Sequence, residues 1–123
     1  MIVVLVALAG ALGAVTRFAV DSWFRSRFPR SGIPWAIAAI NVSGSLVLGL
    51  LAGLVVLQNG STDLQAVIGT GFCGGYTTFS TASVDTVRLV RSGKHAKAIG
   101  YAVGTLVLSV AACAAGFGLA GLA

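Results

Sequence analysis

The chain has 123 residues, 57% of them hydrophobic, with eight Lys or Arg and three Asp or Glu. Apolar runs of about 20 residues with few charges span a bilayer, and four such runs use nearly all of the sequence, leaving no room for a soluble domain. The net charge of +5 does not point to nucleic acid, because the basic residues lie in short connections and not on a soluble face.

The four expected spans cover 2–20, 33–57, 64–86 and 98–122, an all-α membrane protein made of a single four-helix transmembrane domain over 1–123. The first span lacks a basic leader and carries Arg17 near its end, so it does not read as a signal peptide. Its small residues Ala7, Gly10, Ala11, Gly13 and Ala14 suit close helix packing in lipid, and Phe18, Trp23, Phe24 and Phe28 suit the interface. Arg17 reads as a topology signal that snorkels to the interface, or else as a draw for anions. Ser31 is the expected N-cap of the second helix, with Pro34 in its first turn.

In the second span Asn41, Ser45, Gly49 and Gly53 are four residues apart and share a face. The glycines read as a packing seam. Asn41 needs an interhelical hydrogen bond, a water-filled cavity or a ligand, because an unpaired amide in hydrocarbon costs several kcal/mol. A turn at Gly60 and Ser61 follows, with Thr62 or Asp63 as the expected cap of the third helix. The fourth span repeats the pattern with Tyr101, Thr105 and Ser109, one hydroxyl per turn, and Gly100 and Gly104 read as a further close-packing pair.

The first and third connections hold Arg25, Arg27, Arg30, Arg88, Arg91, Lys94 and Lys97, and Arg17 lies next to the first of them. The second connection has no Lys or Arg. The positive-inside rule places connections one and three in the cytoplasm. Asp85 and Arg88, three apart, are an expected ion pair. His95 reads as a solvated loop residue, and Cys73 and Cys113 as small apolar packing residues. There is no nucleophile–base pair, metal-spaced cluster or phosphate loop, so an enzyme is not expected. No carboxylate lies mid-span, which speaks against a small four-helix drug/proton exchanger, the main rival. A non-conducting assembly subunit is the third class.

The third span holds "GTGFCGGYTTFSTAS", Gly69 to Ser83. Gly71, Gly74 and Gly75 weaken a helix, and Thr77, Thr78, Ser80 and Thr81 compete for its backbone bonds. A break frees carbonyls and amides at membrane depth, which survive only inside protein or facing ions or water. The alternative is a glycine-rich helix packed tightly on its neighbours.

That motif, with "NVSGS" in the second span and "GALGAVTRF" in the first, resembles the bacterial fluoride-channel family (Fluc). The resemblance implies passive export of fluoride through the cell membrane by an antiparallel dimer, either a homodimer or a heterodimer with an oppositely oriented paralogue. It implies one structural, untransported Na+ held by the backbone carbonyls of Gly74 and Thr77 from both subunits. It places Asn41, Phe79, Ser80, Thr81, Tyr101, Thr105 and Ser109 on the ion pathway. The chain departs from the family in having Ala82 where a second phenylalanine normally stands. It also departs in its one-sided charge, and both departures fit one half of a pair of related chains.

Overall fold

The computed structural model describes residues 1–28 and 32–123, and these contain helices and turns but no strand. Helix α1 spans Ile2–Arg27 and α2 spans Trp35–Gln58. The expected cap Ser31 and the basic residue Arg30 lie outside the described residues. The helix that follows is preceded by Pro34, whose fixed φ suits a helix start.

Helix α2 ends at Asn59, which turns left-handed (φ 53°, ψ 40°), and Gly60 N–H returns to the Leu54 carbonyl at 2.8 Å. Asn tolerates this conformation better than most residues. The third crossing begins at α3, Thr62–Leu64, capped by Ser61, whose Oγ accepts from Leu64 N–H at 3.1 Å. The cap is thus one residue earlier than the expected Thr62 or Asp63. The Ser61 backbone is extended (φ −68°, ψ 121°), which lets its side chain fold back over the first turn.

From there the crossing is not one helix. A π-helical segment, Gln65–Cys73, leads into the single turn α4, Gly74–Tyr76. Thr77 (φ −77°, ψ 158°) and Thr78 (φ −151°, ψ 122°) are then extended. Helix α5, Phe79–Arg91, completes the crossing, and Gly93 (φ 77°) turns the chain into α6, His95–Ala120. Three helices, α1, α2 and α6, are each long and apolar enough to cross a membrane. The third crossing is assembled from shorter pieces.

Two parallel seams hold these pieces together. Along α2 and α6, a methyl group on Gly49 would collide with the Cys113 carbonyl. One on Gly53 would lie 2.7 Å from the Phe117 carbonyl oxygen, and one on Gly116 would collide with the Leu46 carbonyl. Along α1 and the third crossing, a methyl on Gly13 would meet the Phe72 carbonyl and one on Gly75 the Gly10 carbonyl. In lipid no hydrophobic force drives helices together, so backbone contact of this kind supplies the packing. The large apolar side chains instead face outward, including Leu8, Leu12, Val103, Leu106 and Val110. Cys73 is buried and Cys113 half-buried, both as free thiols.

Gly100 and Gly104 do not behave as the expected packing pair. A methyl group at either would meet nothing within 4 Å, because this face of α6 is turned away from α2.

Candidate functional site

The break between α4 and α5 is fixed from the side by α2. Asn41 Nδ2 donates to the Thr78 carbonyl at 2.9 Å, and Asn41 Oδ1 accepts from the Thr78 N–H at 2.8 Å. In a continuous helix that N–H would bond the Gly74 carbonyl. Here Asn41 takes it, leaving the Gly74 oxygen without that donor. Thr77 N–H and Oγ1 both turn back to the Cys73 carbonyl, at 2.9 and 2.7 Å.

The downstream piece is held by hydroxyls. Thr78, 8% exposed, caps α5 by accepting from Thr81 N–H at 3.2 Å. Its Oγ1 also lies 3.2 Å from the Ser80 and the Thr81 hydroxyls. An Arg completes the arrangement from the far side: Arg17 Nη1 donates to the Thr77 carbonyl at 3.4 Å. Arg17 therefore turns into the bundle and does not snorkel to the interface. A carbonyl released by the break offers it an acceptor within the protein.

An open cleft of about 850 Å³ runs along this break. Asn41, Gly74, Thr77, Thr78 and Phe79 line one side of it, and Tyr101, Thr105 and Ser109 line the other. The helical stripe read from α6 thus meets the polar end of α2 and the break in one place. Ser80 and Thr81 are not on the cleft wall; their hydroxyls are drawn to Thr78, behind it. Ala82 lines the cleft one turn below Phe79.

The cleft is open to its surroundings. Phe79 is 87% exposed, and a methyl group on Gly74 would meet nothing within 4 Å. Tyr101 is 5% exposed, yet its hydroxyl has no hydrogen-bond partner among the described residues, and neither does the buried Ser109 Oγ. Buried hydroxyls are rarely left this way. Two of them lie on one strip of the cleft wall.

A family model described as CrcB-like protein, Camphor Resistance (CrcB), matches residues 4–117. The chain belongs to the CrcB-like family. Among its curated relatives, Fluoride-specific ion channel FluC 1 of Leifsonia xyli subsp. xyli is 46% identical over 123 residues. That match spans 100% of this chain and 89% of the relative. Fluoride-specific ion channel FluC of Nitrobacter winogradskyi is 42% identical, over 90% of this chain and 88% of its own length. Fluoride-specific ion channel FluC 2 of Rhodococcus jostii is 41% identical, over 97% of this chain and 98% of its own length. With three spanning helices and this family membership, the chain is a multi-pass membrane protein.

Two features of the site, the Thr78 cap and the Arg17 contact, were not read from the sequence. The Thr78 cap is visible in retrospect as a Thr followed three residues later by Thr81, at the start of an amphipathic helix. The reach of Arg17 to Thr77 has no local signal, since the two are 60 positions apart.

Proposed function

We propose that this chain is a subunit of a fluoride-selective channel in the cell membrane, letting fluoride leave the cytoplasm down its gradient. The observation that carries the reading is the meeting of the broken third crossing with the Tyr101–Thr105–Ser109 strip in one open cleft, two of its buried hydroxyls unpartnered. The names of the relatives point the same way.

Fluoride is small and strongly hydrated, so a pore must replace its water with donors at fixed spacing. The cleft offers hydroxyls from Tyr101, Thr105 and Ser109 and the second Asn41 amide hydrogen, which Thr78 does not use. The edge of the Phe79 ring carries the positive part of its quadrupole. Phe79 opens α5, so the positive end of that 13-residue helix also lies at the cleft. No carboxylate lines the cleft among the described residues. That favours an anion over the coupled proton of a drug exchanger. Ser80 and Thr81 act here through Thr78, as the support that keeps the break open.

The exposed Phe79 and Gly74 support closure of the cleft by a second subunit, arranged antiparallel. Seven basic residues in the first and third connections, against none in the second, fix one orientation. A partner with the reverse bias, a paralogue, fits this chain better than a second copy. A structural Na+ fits the donor set: the Gly74 carbonyl has lost its helical donor, and carbonyl oxygens are hard ligands. Two carbonyls from one chain are too few, so Gly74 and Thr77 would hold the ion together with their counterparts in the partner. The Arg17 guanidinium already occupies one side of the Thr77 oxygen; a carbonyl has a second lone pair for the ion.

The test is efflux from liposomes. With the partner present, fluoride should leave rapidly while chloride stays; equal rates for the two anions, or neither moving, would remove the proposal. Rapid fluoride flux by the lone chain would instead reject an obligatory paralogue.

A further inference from the structure

The end of the bundle that carries the basic residues has two carboxylates, each paired with an arginine of its own helix. Asp21 pairs with Arg25 at 3.0 Å and Asp85 with Arg88 at 3.7 Å. The remaining acid, Asp63, is at the opposite end, in the first turn of α3. Arg27, Arg91, Lys94 and Lys97 are left without an acidic partner among the described residues.

Two of these cations converge. A methyl group placed on Gly32 would lie 2.8 Å from Lys97 Nζ and 3.9 Å from Lys94 Nζ. The two ammonium groups therefore approach the same spot beside the start of α2, close enough for one phosphate to touch both. Bringing like charges together is unfavourable unless an anion sits between them. Their position makes the imbalance worse: they stand at the N-terminal end of α6, which has no acidic residue in its first turn. Cations are disfavoured at that end of a helix dipole and anions favoured. The same level of the molecule carries Trp23, Phe28 and Trp35, all exposed, as aromatic rings at a membrane–water interface are.

We propose that Lys94 and Lys97 form a binding site for the phosphodiester of an anionic phospholipid, with Trp35 beside its acyl chains. The interface depth selects a lipid over a soluble phosphate, because the aromatic belt puts the ammonium groups at headgroup level. The site is distinct from the cleft, which neither lysine lines. It gives this subunit a lipid preference localised to one corner, beyond the diffuse attraction of a basic surface.

The chain has two tryptophans, Trp23 and Trp35, so Trp23→Phe leaves Trp35 as the only reporter. In that background the full chain is reconstituted in phosphatidylcholine bilayers with increasing phosphatidylglycerol brominated on its acyl chains. Quenching of Trp35 reads the relative affinity of the two lipids. The wild-type lysines should favour phosphatidylglycerol about tenfold, and K94Q/K97Q should bring the ratio close to one. K94R/K97R should keep the preference. R27Q/R91Q, which removes the same charge elsewhere, should keep most of it. An equal fall in R27Q/R91Q, or an unchanged preference in K94Q/K97Q, would overturn the site. Excess inorganic phosphate at matched ionic strength should leave quenching unchanged; displacement of the lipid by it would show a free-phosphate site and overturn the lipid assignment.

Discussion

The seam between α2 and α6 and the break in the third crossing use the same residue for opposite ends. Gly49, Gly53 and Gly116 each face a backbone carbonyl, so the missing side chain is the space the neighbouring helix fills. Gly74 faces nothing, and the missing side chain leaves clearance at a point where backbone groups are exposed. One region is closed, with backbone pressed against backbone and Gln58 Nε2 of α2 donating to the Ala120 carbonyl of α6 at 3.3 Å. The other is open, with its amides and carbonyls redirected to Asn41 and Arg17. Glycine in a membrane helix therefore has two meanings, decided by what stands across from it.

The largest expected effect breaks the closed side. Gly116→Val puts branched carbon into the Leu46 carbonyl, which is backbone and cannot turn aside. A loss of about 3 kcal/mol or more is expected, seen as a collapse in melting temperature in detergent. Gly74→Ala should leave the melting temperature of the lone subunit unchanged, since its backbone is helical and its surroundings empty. It should instead weaken the association with a second subunit that we propose a Na+ supports. If Gly74→Ala destabilised the fold as Gly116→Val does, the contrast between the two regions would be lost.

Next comes the clamp. Asn41→Ala removes two hydrogen bonds and leaves the Thr78 N–H and carbonyl unpaired where the residue is almost buried. A cost of about 2–4 kcal/mol is expected, with fluoride flux abolished because the break loses its shape. Hydrogen exchange at the Thr78 amide reports the first effect directly: it should become fast in the variant.

A smaller and more selective effect belongs to the strip. Tyr101→Phe removes a hydroxyl that has no partner in the fold, so stability should stay within about 0.5 kcal/mol of wild type. If that hydroxyl is a ligand for the ion, flux should fall about tenfold, the equivalent of one hydrogen bond. Loss of stability without loss of flux would instead give the Tyr101 hydroxyl a structural hydrogen bond inside the fold, since phenylalanine keeps the ring that packs on Leu89 and Ala98.

These effects separate what the sequence exposes from what it hides. The spans at 2–20, 33–57 and 98–122 were legible because an apolar run of bilayer length has few other meanings. The Asn41 face and the Tyr101–Thr105–Ser109 stripe were legible because four-residue spacing is a property of one helix. The density of Gly and Thr from Gly69 onward announced a break. Its form was not legible: the π-helical segment Gln65–Cys73 depends on how Gly71 and Gly75 seat against α1, a tertiary register. The same limit explains Gly100 and Gly104, where spacing suggested a seam but nothing among the described residues lies within 4 Å of an added methyl group. Arg17 shows it again, because its partner is a carbonyl, and every residue has one.

The subtlest change tests whether the cleft lacks a part. Ala82 lines the wall one turn after Phe79, and the turn between them is already formed: Ser83 Oγ bonds the Phe79 carbonyl and Thr86 Oγ1 the Ala82 carbonyl. Ala82→Phe would set a second ring on the open side of α5 with no change to these bonds. The fold should gain or lose about 0.5 kcal/mol at most, the range of a substitution at an uncrowded wall. Fluoride flux by the lone chain should rise from near zero to a measurable rate if the missing ring edge is what an obligatory paralogue contributes. If instead the lone chain stays silent with Phe at 82, the proposed partner contributes its reversed orientation and not its aromatic ring, since the wall would then be complete and only the open side of the cleft would remain to be closed.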